Sequence, residues 1–238
     1  MRNIELYSKL FSRIYNEFGW NYYPEAFAGQ LLAWLSRKMP HAQSVLDLGC
    51  GTGVLCRILR ANGLSADGVD LSANMIEIAR KEDPEGWYET EDMTIYEPRR
   101  KYDIVTCTGD AINHLTDIIL VERTIDRVRN CIEDGGYFVF DLLNENEVAD
   151  PEPIEFDYDE KTRASFLMEK DSMGIVTLTV SVKENGVEVL QEVIRERLYD
   201  AEEICGLLKK AGFREVEYSH RLLEDGAEVP TWYVTARM

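Results

Sequence analysis

Positive charge is scarce in this chain. Its 238 residues hold 26 Lys and Arg against 44 Asp and Glu, a formal net charge of −18. Such a surface repels a phosphate backbone, and affinity for nucleic acid rests largely on Lys and Arg contacts. DNA, RNA and anionic membranes are therefore not expected partners, whereas a small neutral or cationic molecule is easily accommodated. Long uncharged runs are also absent. The opening Met1-Arg2-Asn3-Ile4-Glu5 does not read as a secretory leader, and no stretch has the length of a membrane span. The five cysteines (50, 56, 107, 131 and 205) stand singly, without the paired spacing of a metal site or a disulfide framework. They read as reduced, mostly buried small hydrophobes, so no metal is expected and the location is expected to be cytoplasmic. Histidine is limited to His41, His114 and His220, which narrows the candidates for handling a proton near neutrality.

What is present is an α/β rhythm. Ser44 to Leu48 is a short apolar run that ends in Gly49-Cys50-Gly51-Thr52-Gly53. A helix over Val54–Ala61 follows, with Gly63 placed to end it. A second strand, Ala66–Val69, closes on Asp70. Ser72 suits the cap of a helix over Ala73–Arg80. Strands are expected at Trp87–Thr90, Tyr102–Cys107 and Tyr137–Leu142, the last a continuous apolar run of the kind covered on both faces. Between the last two, Ile118, Val121, Ile125, Val128 and Ile132 recur at helical steps, and Gly135-Gly136 ends that segment. Residues 144–160 are acid-rich, contain Pro151 and Pro153, and read as an exposed connection. Three alternating segments follow, Ala164–Lys170, Ile175–Lys183 and Val187–Leu198. Asn185-Gly186 between the last two is a strong hairpin signal. The α/β pattern resumes with Asp200 capping Ala201–Ala211 and with strands near Phe213–His220 and Val229–Ala236. Ahead of all this, Tyr7, Phe11, Tyr15 and Phe18 share one helical face, and Pro24 suits the first turn of a helix that runs to about Lys38.

Strand, glycine loop, helix, strand and acid form half of a nucleotide-binding unit. A dinucleotide fingerprint needs a third glycine at position 54, which is Val54, while Gly53 stands one place earlier. That argues against a nicotinamide-dependent oxidoreductase. Asp47-x-Gly49-x-Gly51-x-Gly53 instead resembles the first motif of the class I S-adenosylmethionine-dependent methyltransferases, and the order of elements resembles that fold over about residues 40–142 and 199–238. The resemblance implies a Rossmann-like, seven-stranded α/β sheet with its last strand antiparallel, here with an inserted antiparallel β meander. It divides the chain into an N-terminal helical cap (1–39), a cofactor-binding domain (40–143 and 199–238) and an inserted lid (144–198).

The same resemblance implies site residues. Gly49, Gly51 and Gly53 would pass the methionine end of S-adenosylmethionine, and Asp47 would orient its ammonium directly or through water. Asp70 would accept both ribose hydroxyls, a task that suits the several acceptor sites of a carboxylate. Leu71 and Met75 would flank the adenine. Asp92 would accept from the adenine amino group, with Met93 against the ring. Tyr15, Tyr22 and Tyr23 are candidates to cover the cofactor, and Asn113 is a candidate contact.

The loop Thr106-Cys107-Thr108-Gly109-Asp110-Ala111-Ile112-Asn113-His114-Leu115 should face the transferable methyl group. It lacks an Asn-Pro-Pro-Tyr motif and looks more like the loop of small-molecule N-methyltransferases. His114 is then the candidate base or substrate orienter, against a histidine packed under a loop, and Asp110 is a candidate to hold a substrate ammonium. The expected activity is methyl transfer to a small-molecule acceptor, most readily an amine nitrogen. The alternatives are oxygen methylation of a small metabolite and a non-catalytic S-adenosylmethionine-binding or regulatory protein. The inserted strands would close over the acceptor or pair with a second subunit in a homodimer, and the sequence leaves both open.

Overall fold

In a computed structural model, which describes residues 7–16, 19–20, 22–148, 152–223 and 229–238, the chain builds two sheets. Its elements are α1 (Lys9–Tyr15), α2 (Tyr22–Lys38), β1 (Ser44–Leu48), α3 (Val54–Ala61), β2 (Ser65–Asp70), α4 (Ala73–Glu82), β3 (Trp87–Thr90), β4 (Tyr102–Cys107), α5 (Ile118–Cys131) and β5 (Ile132–Leu142). A short 3-10 turn at Glu145–Glu147 leads to β6 (Ile154–Asp157), β7 (Thr162–Lys170), β8 (Ile175–Glu184) and β9 (Val187–Arg197). The chain ends with α6 (Ala201–Lys210), β10 (Arg214–Ser219) and β11 (Trp232–Arg237).

The larger sheet has the order β10-β11-β5-β4-β1-β2-β3. β1 to β5 are parallel to their neighbours among themselves, and β11 runs antiparallel between β5 and β10. This is the seven-stranded Rossmann-like sheet expected from the motif. Strand alternation sends neighbouring residues to opposite faces. Val45 and Ile104 pack with Leu31, Trp34, Leu55 and Leu59 of α2 and α3, while Leu46 and Val105 pack with Val121, Ile125, Ile204 and Leu208 of α5 and α6. With both faces covered, the central strands are apolar on both sides, as their sequence requires.

The caps fall where side-chain oxygens can meet free N–H groups. Ser72 accepts from Met75 N, Asp117 from Ile119 N, and Asp200 from Glu202 N and Glu203 N. Two boundaries differ from expectation. The helix over 118–131 stops one residue before Ile132, which pairs with Tyr102 and opens β5 across a register shift. The acid-rich connection also contains a strand, β6, which pairs with β7 and makes the meander four-stranded. All four β6 residues are exposed, so no buried face marked this strand in the sequence.

The two N-terminal helices part company. α2 belongs to the layer over the large sheet. α1 instead packs Phe11 and Ile14 into a third cluster with Met75 of α4 and with Ala164, Val180, Val182, Leu190 and Ile194 of the small sheet. It thus lies between the inserted strands and the glycine-loop side of the large sheet. Phe18 of the expected aromatic face lies outside the described residues.

Parallel strands put all their carboxyl ends along one edge, and every glycine, acid and loop named above as a candidate belongs to that edge or covers it. The loop after β1 turns tightly there. Gly53 has φ +76°, and a Cβ built on it would lie 2.8 Å from the Tyr88 ring. Gly53→Ala should therefore cost about 1–3 kcal/mol through left-handed backbone and a forced shift of Tyr88. Thermal unfolding of the variant checks this, and an unchanged Tm would remove Tyr88 as the constraint.

Candidate functional site

Two strand-terminal acids hold the loops at the carboxyl edge. Asp70, at the end of β2, accepts from Gly51 N at 2.8 Å through Oδ2 and from Ser72 N at 2.8 Å through Oδ1. It therefore braces the glycine loop of neighbouring β1 and the start of α4 together. Asp141, next to the end of β5, accepts from Gly109 N and Asp110 N, each at 3.0 Å, and braces the loop of neighbouring β4 in the same way. Tyr23 also donates to Asp141 Oδ2. Burial raises the Asp70 pKa against the pull of its two N–H donors. Burial also raises Asp141, against its bonds from Tyr23, Gly109 and Asp110.

Asp47 lies beneath the loop, where it accepts from Thr106 Oγ1 at 2.7 Å, and burial pushes it up to about 7 despite that bond. The glycine loop above it is left open on one side. Gly49 cannot carry a Cβ, which would lie 2.8 Å from Ala111 Cβ, but the Cβ position of Gly51 meets nothing within 4 Å. Backbone is thus presented to open space directly beside Asp70. Leu71, next in sequence, is 54% exposed, whereas Met75 is buried under α1. Met75 fills the contact between α1 and α4, so it forms the floor of the N-terminal cover and not an exposed wall beside Leu71. Asp92 keeps Oδ1 on Thr94 N and is half-buried, and Met93 Sδ lies 4.0 Å from Cys107 Sγ.

The N-terminal segment covers this edge through polar ties. Asn16 accepts from Thr52 Oγ1 of the glycine loop at 2.9 Å, and Asn74 Nδ2 of α4 donates to the Tyr7 carbonyl at 3.0 Å. Of the three candidate covering tyrosines, Tyr15 faces the site. Its hydroxyl is pushed up to about 12 by burial, then by Asp110, Asp70 and Glu196. Tyr23 is committed to Asp141. Tyr22 is 75% exposed and points away, since one residue along α2 turns the side chain onto another face. Tyr7, which sequence periodicity marked only as one residue of an aromatic stripe, enters the site. Its backbone has φ +58°, and its hydroxyl donates to His114 Nε2 at 3.1 Å in the tautomer that leaves that nitrogen bare. A tyrosine in the left-handed region is strained, and such strain persists where surrounding contacts impose it.

In the loop after β4, Asp110 has φ +60° and is pushed well up by burial, then by Asp141, Glu196 and Glu147. Every charged group named there is another carboxylate. His114 is lowered to about 4 by burial, so its ring stays neutral through the physiological range. Asn113 takes a different role from a cofactor contact. It is 0% exposed, its Nδ2 donates to the Arg197 carbonyl at 2.7 Å, and its Oδ1 accepts from Leu143 N at 3.0 Å. Arg197 N returns a bond to the Asn113 carbonyl at 2.8 Å. Both ends of the amide are spent on backbone, which fastens the loop to β9 and to the end of β5. The other two histidines stand apart: His41 is exposed, and His220 stacks on Trp232 at 3.6 Å.

The residues missed from sequence are Asp141, Tyr7, Glu147 and Glu196. Asp141 had a signal. Like Asp47 and Asp70, it follows an apolar run at the end of a parallel strand. The others had none, because their place depends on how the inserted strands and the N-terminus fold back.

Known proteins give the following comparisons. The profile of a methyltransferase-domain family matches residues 20–218. A dTDP-3-amino-3,6-dideoxy-alpha-D-glucopyranose N,N-dimethyltransferase from Streptomyces fradiae is 32% identical over 129 residues, 54% of this chain and 50% of that protein. The chain thus spans about half the length of that curated relative. A putative methyltransferase from Bacillus subtilis is 24% identical over 206 residues and 82% of each chain. Among solved structures, an S-adenosylmethionine-dependent methyltransferase from Clostridium acetobutylicum superposes with a TM-score of 0.80 at 20% identity, covering 96% of this chain and 97% of that one. An amino pentose methyltransferase from Micromonospora echinaspora, solved with S-adenosylmethionine bound, superposes with a TM-score of 0.76 at 19% identity and 98% coverage of both. At these identities the superpositions speak to the fold.

The buried acids set a pH dependence. Asp47 has its folded pKa raised to about 7 from 3.8. The unfolded chain therefore releases this proton first as pH rises, and the folded state is penalised progressively from about pH 4 to about pH 7. Asp47→Asn keeps an oxygen for Thr106 and removes the penalty. The variant should melt higher than the parent at pH 8 and alike at pH 4, as thermal scans at both pH values would show.

Proposed function

The chain belongs to the methyltransferase-domain family, and from that premise we propose that it transfers a methyl group from S-adenosylmethionine to a small-molecule amine. The observation that carries the cofactor reading is Asp70 beside the open face of Gly51. The residues fit such a ligand. Glycine backbone free of side chains borders open space, and Asp70 has spent only one acceptor position on each oxygen, which leaves further lone pairs for ribose hydroxyls. Leu71 offers an exposed apolar surface next to it, and the free Oδ2 of Asp92 can accept from an adenine amino group. When bound, the cofactor supplies a methyl carbon already activated by a positively charged sulfur.

The protein's own work is then to bind, orient and keep a nucleophile neutral. Gly49, Gly51 and Gly53 guide the amino-acid end of the cofactor over Asp47. Tyr15 closes the N-terminal side. On the acceptor side, Asp110 lies near the carboxylates of Asp141, Glu196 and Glu147. A protonated amine relieves that repulsion, whereas a neutral alcohol does not, which is why nitrogen is preferred to oxygen. His114 remains neutral and is hydrogen-bonded to Tyr7, so it orients the acceptor rather than storing its proton. The inserted strands serve as a lid over this acceptor side. No helix among the described residues is long and apolar enough to cross a membrane. The proposed location is the cytoplasm, as the unpaired spacing of the five cysteines suggests.

Calorimetry with S-adenosylhomocysteine and, separately, with a nicotinamide dinucleotide tests the cofactor. Binding of the dinucleotide alone would sink the reading. Asp70→Ala should weaken S-adenosylhomocysteine by about 1.5–3 kcal/mol, the value of hydrogen bonds to a charged group. His114→Ala should lower kcat on a responsive amine while S-adenosylhomocysteine affinity holds. A drop in affinity equal to the drop in kcat would take His114 out of the acceptor site.

A further inference from the structure

The lid strand β9 carries a buried acid that the reading so far leaves without a task. Alternation along β9 turns Leu190, Ile194 and Glu196 inward and leaves Val193 and Arg195 outside. Glu196 is 7% exposed and pairs across the sheet with fully buried Val176. An acid buried beside Ile194 and opposite Val176 is costly unless something compensates it. Glu192, in the same row, accepts from Ser8 N at 2.9 Å. Glu196 has no such bond among the described residues. Its Oε1 lies 3.6 Å from His114 Nε2, and that nitrogen is already taken by the Tyr7 hydroxyl.

The position of Glu196 is nevertheless tightly held. The next residue, Arg197, exchanges two backbone-linked hydrogen bonds with Asn113, the neighbour of His114. The groups that face Glu196 come from three other segments: Tyr7 and Tyr15 at the N-terminus, Asp110 and His114 in the loop after β4, and Glu147 after β5. None of them is a cation, since His114 stays neutral. A fixed, largely buried carboxylate with no cation against it among the described residues, turned toward the loop expected to meet the acceptor, is a site for one.

We propose that Glu196 is the lid's contribution to the acceptor site: its carboxylate pairs with the acceptor's ammonium and takes one proton from it before attack. This rests on the methyl-transfer reading above. In the step, one N–H bond of the ammonium breaks and its electron pair stays on nitrogen as the attacking lone pair. The proton forms an O–H bond at Glu196, which becomes a neutral acid. The methylated product leaves as an ammonium, and the Glu196 proton returns to solvent when the lid opens. Burial, reinforced by Glu147, raises Glu196 to about 7, which suits a group that must both hold a cation and accept its proton near neutrality. His114, lowered to about 4, cannot perform that exchange and is left to orient the amine.

The test needs no knowledge of the natural acceptor. Protein labelled with 13C at histidine Cε1 carries three signals, assigned with His114→Asn, and is titrated with n-butylammonium chloride or n-butanol in the presence of S-adenosylhomocysteine. The ammonium should shift the His114 signal saturably and leave exposed His41 in place, while the alcohol should not. Glu196→Gln, nearly the same size, should weaken the response about tenfold or more, the value of a charge-assisted hydrogen bond. Glu196→Asp, which keeps the charge, should retain part of it. No ammonium response in the parent protein, an equal response to alcohol, or an unchanged response in Glu196→Gln each overturns the proposal. Should Glu196→Gln fold poorly, Glu196→Asp carries the test, since a carboxylate one methylene shorter should weaken the response and an undiminished one overturns the proposal. Failure of the methyl-transfer reading shows separately, as an absence of S-adenosylhomocysteine binding by calorimetry.

Discussion

The site depends on carboxylates that stand at strand ends and hold the loop of the neighbouring strand by its backbone N–H groups. Asp70 does this for the loop after β1, and Asp141 for the loop after β4. The two loops lie on either side of the point where the sheet order reverses, between β1 and β4. In a parallel sheet that point opens a crevice. Each acid shapes one wall of it, and a carboxylate buried there is costly to ionise. Backbone N–H groups offset part of that cost, and the rest appears as pKa values raised by burial.

The same edge carries a surplus of negative charge that no cation among the described residues is paired with. Asp110, Glu147 and Glu196 act on one another there, together with Asp141. A folded state that keeps unpaired acids in low dielectric gives up stability, and functional sites are where such a sacrifice is usually found. A cationic cofactor and a cationic acceptor would offset it. On the proposed function, stability and function pull in opposite directions at Asp47, since a substitution that relieves the free protein would also remove the carboxylate proposed to meet the cofactor's ammonium.

The inserted strands are tied into the site rather than hung beside it. The Asn113–Arg197 exchange fixes the end of β9 to the loop after β4, and α1 is packed between the inserted strands and α4. Moving the inserted strands away from the large sheet would have to break these contacts or carry α1 with it. The exposed Val187, Val189 and Val193 lie on the outer face of β9, apart from the inner Leu190 and Ile194 that pack against α1.

The large sheet, its strand boundaries, the glycine loop and Asp70 were legible in the chain because each depends on local rules: alternation, caps and turn residues within a few positions of one another. Asp141 was legible too, had the pattern of an acid after each parallel strand been followed to β5. Other assignments needed contacts between residues far apart in sequence. Asn113 looked like a ligand contact from its place beside His114, but the return of β9 consumed its amide. Tyr22 and Tyr23 are adjacent in sequence, yet the turn of α2 buried one against Asp141 and exposed the other. Tyr7 meets His114 across 107 positions, and Glu196 comes from a strand whose two faces are both mixed in polarity. The sequence by itself determined the large sheet and the glycine loop at its carboxyl edge, since short-range propensity suffices for them. Only the tertiary structure decided which acids, tyrosines and lid residues converge, because burial and long-range packing, not residue type, set where those side chains point.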